Sequence, residues 1–325
     1  MINKTKMMEQ AKNSKTYNPL IEILIFFAIF IVSNIVQNII LVPALSSFMM
    51  NDQKLIDLMN SQLESFEPIV QRMLELMTII PEWIWILRIF LYGILGLCVI
   101  VYSKFMGKRS CGSIGLRKHN AVKDFLLGTI FGGVLMIAVL FGCIITGSLK
   151  YESICSFSPT LLMLYFLGSV VYGISQELFY RGYYMTTLTK TFSVKYSLVM
   201  SAIVDAFFTL SISDGNIITL INSFLMSLMF GLIVIKRGNI WFSSAFHSIW
   251  YFSQIIFFGV TSGTTKILQL TVNEKMANLN GGVFGISGSL IFTLVIFLAL
   301  GVVLRMKQNS DEIAKVSESD TDTEK

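Results

Sequence analysis

The feature that most constrains this chain is the recurrence of apolar runs near 20 residues long, the length at which a helix crosses about 30 Å of hydrocarbon. Eight such segments can be marked, at residues 20–45, 82–103, 124–147, 160–188, 196–213, 217–235, 240–259 and 282–304. A bilayer core offers no water to backbone N–H and C=O groups, so segments of this length cross it as helices. The predicted fold class is therefore all-α: a polytopic helical membrane protein with about eight transmembrane helices. Composition agrees, since 54% of the 325 residues are hydrophobic and only 14% are charged, against roughly 25% charged in a soluble domain.

Loop charge orients the segments. Lys4, Lys6, Lys12 and Lys15 precede the first, and Lys104, Lys108, Arg109, Arg117, Lys118 and Lys123 lie between the second and third. Lys190 and Lys195 follow the fourth, and Lys236 and Arg237 the sixth. The alternate connections differ: 51–81 holds Asp52, Asp57, Glu64, Glu67 and Glu75 against Lys54 and Arg72, and 214–216 holds only Asp214. The positive-inside rule then predicts a multi-pass cell-membrane protein with both termini cytoplasmic, and eight spans satisfy that parity.

Three regions are expected: a polar N-terminal segment at 1–19 without signal-peptide character, a helical membrane domain at 20–306, and a disordered acidic cytoplasmic tail at 307–325. Residues 52–80 read as an amphipathic connection lying on the outer interface, with Leu55, Leu58, Met59, Leu63 and Phe66 near helical spacing. Cys98, Cys111, Cys143 and Cys155 form no CxxC pattern, so neither a disulfide nor a zinc framework is predicted. The net charge of +5 suits loops beside anionic lipid, and no basic-aromatic tract points to nucleic acid. The expected partners are membrane lipid and a membrane or lipidated peptide.

Ionisable groups at membrane depth are costly and are read first as functional candidates. They are few: Arg88, Glu177, Arg181, Asp205 and His247. Glu177 and Arg181 stand four residues apart and share a helix face. Counted from the ends of their segments at 1.5 Å per residue, Glu177, Ser211 and His247 lie about 20, 21 and 12 Å deep. They are thus candidates to line one cavity. Arg88 fits a snorkelling or salt-bridging role, and Asp205 is a candidate partner for it or a helix-contact residue.

QELFYRG at 176–182, FFTLSISDGN at 207–216 and GLIVIKRGNIWFSSAFHSIWY at 231–251, preceded by SIGLRKHNAVKDFLLGTIFGG at 113–133, resemble the CPBP membrane proteins, the CAAX-protease and bacteriocin-processing group. The resemblance covers about residues 113–260. The family signatures are Glu-Glu-x-x-x-Arg, Phe-x-x-x-His, and a His followed four residues later by Asn. The resemblance implies an intramembrane endopeptidase in which a glutamate, assisted by histidines, activates water.

Three positions depart from those signatures. Gln176 stands where the first glutamate is expected, Ser211 where a histidine should follow Phe207, and Tyr251 where the asparagine should follow His247. A glutamine amide cannot accept a proton near neutral pH, and general-base assistance is worth about 10²–10⁴-fold. Catalytic zinc usually has three protein ligands. The chain holds two histidines, of which His119 lies in a loop, so no metal or other cofactor is expected unless a divergent site is active. Glu177 and His247 remain as the catalytic remnant, and Arg181, Gly182 and Phe207 as structural residues of the site. The favoured reading is a catalytically impaired homologue that handles a membrane peptide, as a bacteriocin-immunity or accessory factor. Two alternatives stay open: an active endopeptidase with Glu177 as base and His247 as its partner, and a transporter subunit.

Overall fold

The computed structural model describes residues 3–15, 17–61, 65–213, 216–258 and 266–313, with the side chains of 210–213 excepted. A short helix α1 (Lys6–Lys12) precedes α2 (Pro19–Met49). Asn18 caps α2 by accepting from the Leu20 amide, and Pro19 supplies a preset φ in the first turn. Then come α3 (Gln53–Asn60), α4 (Glu67–Thr78), α5 (Glu82–Met106) and α6 (Ala121–Ile145). Strand β1 (Leu149–Ile154) leads to α7 (Pro159–Leu188), followed by α8 (Val194–Ser213), α9 (Ile217–Arg237) and α10 (Trp241–Ser253). Strand β2 (Leu268–Val272) precedes α11 (Leu290–Arg305).

All eight apolar segments are helical over most of their length. Among the described residues five helices, α2, α5, α6, α7 and α9, are long and apolar enough to cross a membrane. The others are α11, which is shorter; α10, which a π-turn (Gln254–Phe258) extends; and α8, whose continuous helix is described with its side chains only as far as residue 209. The architecture is an all-α polytopic membrane protein. Leu24, Ile31, Ile35 and Ile39 of α2 and Leu294, Phe297 and Leu298 of α11 form apolar outward surfaces that suit lipid. The core sits instead around the second half of α7, the run Met229–Ile235 of α9 and the inner face of α10.

Several boundaries differ from expectation. The last span starts at Leu290, because Gly281, Gly282 and Gly285 take positive φ and hold 282–288 in short 3₁₀ turns before Ser289 caps the helix. Strands β1 and β2 pair antiparallel, Leu149 opposite Val272, with a register shift between Tyr151 and Ser153. No strand was expected there. The tail is ordered as far as Ile313: Thr5 bridges Ile313, the Asn309 amide donates to the Lys236 carbonyl, and buried Glu312 lies 3.1 Å from Arg117. Residues 314–325 lie outside the described residues. In α1, Met7, Met8 and Ala11 are buried, so this part of the N-terminal segment is packed. The 52–80 connection contains helices α3 and α4 joined through Leu55 and Leu76, whereas Met59 and Phe66 are exposed and Leu63 and Glu64 lie outside the described residues.

Close backbone approach positions the site. A Cβ on Gly173 of α7 would meet the Ser244 carbonyl of α10 at 2.7 Å, and one on Gly128 of α6 would overlap the Phe242 carbonyl. Helix α10 is thereby held close between α6 and α7, with the Ser248 hydroxyl of α10 also packed against Gly173. The end of the bundle carrying both chain ends is fastened by Asp124, which accepts from Arg237 Nε at 2.9 Å and Asn239 Nδ2 at 2.6 Å.

Candidate active site

Glu177 ends the regular part of α7, and residues Leu178–Met185 continue as a π-helix whose eight residues are all buried. Wide π-turns add a residue to the helix circumference and recur at functional sites. Here the π-turn brings Gly182 against the loop after α5: a Cβ at Gly182 would lie 2.5 Å from the Ile114 carbonyl. On the same side buried Arg109 donates to the Gly182 carbonyl at 3.3 Å, Thr186 Oγ1 at 2.6 Å and Thr187 Oγ1 at 3.0 Å. Burial pulls the Arg109 guanidinium down to about 10, and these acceptors replace lost water.

Arg181 is the centre of the polar cluster. Its Nη1 donates to Glu177 Oε1 at 3.1 Å, while Nη2 lies 2.8 Å from Asp205 Oδ2 of α8. The same Nη2 donates to the Ser227 carbonyl at 3.0 Å and to its Oγ at 2.6 Å on α9. Its guanidinium also lies 5.5 Å from the Tyr180 ring and 5.3 Å from Phe230. His247 comes from α10 and sets Nδ1 3.2 Å from Glu177 Oε1. The imidazole stacks on Phe230 at 4.8 Å and meets the edge of Tyr172 at 5.4 Å.

Glu177, Arg181 and His247 are therefore brought together. Gly182 follows them in the π-turn. Tyr251 lies one turn beyond His247, stacked on Tyr172 at 4.2 Å. Gln176 is half-buried, and its amide hydrogen-bonds to no described residue. Phe207 is 56% exposed on α8, and its neighbour Phe208 packs with Phe26, Phe30 and Tyr180. Ser211 is on α8, but its side chain lies outside the described residues, as does Asp214. Arg88 is exposed on α5, 5.5 Å over the Trp85 ring, and Asp205 turns to Arg181.

Sequence reasoning noticed Asp205 but did not find its partner, which depends on the rotation of α8. It missed Ser227 and Phe230 altogether. Neither carries a signal in a single chain, since a serine or a phenylalanine inside an apolar span is ordinary.

The carboxylate of Glu177 is 0% exposed, with Oε1 shared by Arg181 and His247 and Oε2 without a hydrogen-bond partner among the described residues. Among the described residues no three or more His, Cys, Asp or Glu side chains gather where they could hold a metal ion, and the Glu177 carboxylate beside His247 already faces the Arg181 guanidinium.

Residues 158–253 match the family model described as type II CAAX prenyl endopeptidase Rce1-like. The match runs from Ser158, the N-cap of α7, to Ser253, the last residue of α10. It takes in Glu177, Arg181, Asp205, Ser227 and His247, and leaves α6 outside. No curated protein matches the chain significantly.

Proposed function

We propose that the protein, whose residues 158–253 match a type II CAAX prenyl endopeptidase Rce1-like model, receives a lipidated or membrane-entering peptide and holds it without hydrolysing it at an enzyme's rate. One observation carries this reading: among the described residues the carboxylate beside His247, that of Glu177, is sealed from solvent and held by Arg181, whereas the more accessible neighbour, Gln176, is an amide. A general base must reach the water it deprotonates. Glu177 is instead the counter-ion of a buried guanidinium. The role that fits is immunity or accessory handling of a bacteriocin-like peptide, in the cell membrane with both termini in the cytoplasm. That orientation is supported by the basic loops and by the Thr5 to Ile313 bridge, which joins the two chain ends on one side.

A second reading has a specific observation in its favour. The 3.2 Å contact of His247 with Glu177 and the unpartnered Oε2 are what a working glutamate–histidine pair needs once a substrate opens the site.

One experiment separates the two readings. The purified full chain is incubated in vesicles with a fluorogenic prenylated CAAX peptide carrying a photoreactive group. The proposal expects a crosslinked adduct and cleavage at background. Turnover by the natural protein that disappears in both Glu177→Gln and His247→Ala refutes it and installs Glu177 as base. If the scaffold retains the family geometry, Gln176→Glu combined with Ser211→His and Tyr251→Asn introduces measurable hydrolysis.

A further inference from the structure

Helix α4 carries an apolar face that the rest of the protein leaves uncovered. Phe66, Val70, Leu74 and Met77 follow one another at i, i+4, i+8 and i+11, and they are 82, 51, 62 and 43% exposed. Leu76 on the adjoining arc packs with Leu55 and Met49, with Ile69 beside them, which fixes how α4 sits on α3. A polar arc of Glu67, Gln71, Glu75 and Thr78 adjoins it, Glu75 lying farthest round the helix from Val70. Arg72 is committed to Asp52 at 2.6 Å and Glu75 at 2.7 Å, so the face is held in a defined rotation.

The tethers decide what covers it. Helix α2 ends at Met49 and α3 begins at Gln53, while α4 ends at Thr78 and α5 begins at Glu82. Three connecting residues reach at most about 10–11 Å. Both α2 and α5 are candidate spans, so the α3–α4 pair is held at the level where they leave the hydrocarbon. Ile79 and Trp83, which follow α4 in the chain, are exposed, as are Leu97 and Val101 farther along α5. A Trp at that height suits the headgroup boundary.

We infer that α4 lies in the lipid interface at the end of the bundle away from the chain termini, with Phe66, Val70, Leu74 and Met77 among the upper acyl chains. Helices with one charged and one apolar face adopt this position. The charged arc of the pair is acidic, so the contact is with acyl chains and zwitterionic headgroups, not an anionic surface. The inference rests on the membrane spans alone and is independent of peptide handling.

The test uses the full chain reconstituted in phosphatidylcholine vesicles, with p-benzoylphenylalanine placed singly at Val70, Leu74, Gln71 or Glu75, all on the surface of the fold. On illumination, mass spectrometry should find phospholipid adducts at positions 70 and 74 several-fold above those at 71 and 75. Equal lipid labelling of the two faces overturns the inference. So does a dimer-sized product from positions 70 and 74, which would make a second copy of the chain the cover.

Discussion

Arg181 is shared between two carboxylates on different helices, and this makes the energetics of its cluster asymmetric in a measurable way. Arg181→Ala removes a fully buried guanidinium and leaves Glu177, 0% exposed, without its counter-charge and Asp205 with only partial access to solvent. Stripping one partner from a buried ionic cluster costs about 3–5 kcal/mol. Glu177→Ala is milder. Arg181 keeps Asp205 at 2.8 Å and both oxygens of Ser227, so the loss is that of one charged hydrogen bond and some packing, about 1–3 kcal/mol. The double variant removes a charge of each sign and leaves only Asp205 behind, so its loss should fall short of the sum by about 1–3 kcal/mol of coupling. Unfolding of the purified protein in mixed detergent micelles, followed by tryptophan fluorescence, gives all three values. Equal losses for the two single variants, adding without coupling, would refute the shared-guanidinium account.

Gly182→Ala should destabilise by about 1–3 kcal/mol in the same assay, since its Cβ would press on the Ile114 carbonyl. Truncation after Lys307 should lower the melting temperature by removing Glu312 from Arg117 and the Asn309 amide from Lys236. The hydrogen bond from Arg72 holds Asp52 and Glu75 below the usual carboxylate range. A depressed folded-state pKa contributes stability that is present above the unfolded value and lost as pH falls through the folded one. Amide exchange over 53–78, corrected for its intrinsic pH dependence, should therefore quicken only in acid below that range and stay flat from there to neutrality.

Much of the fold was legible because spanning helices are written as long apolar runs, and each of the eight marked segments is helical over most of its length. Glu177, Arg181 and His247 were legible as ionisable residues at depth, where single positions stand out. The partner of Arg181 on α8 was not, because pairing across helices depends on a rotation that Asp205 does not encode alone. Strands β1 and β2 were missed for a different reason: LKYESI and LQLTV are short, polar and far apart in the chain. The ordered stretch 307–313 was read as tail because its composition is polar, and its order comes from one ion pair and a few backbone bonds. The glycines at 281–288 were inside an apolar run whose average hides them.

The glycine contacts of α10 bear on how the site responds to its solvent. In lipid, apolar helices gain little from leaving a medium as apolar as themselves, and close packing sets their separation instead. Dispersion falls off steeply once a gap opens. Where Gly128 and Gly173 meet the α10 backbone, the helix has no slack to take up. A thicker or thinner bilayer is then absorbed by tilt of the lipid-facing helices α2 and α11. The separation of His247 from Glu177 stays a property of the protein, the same in any membrane that keeps it folded.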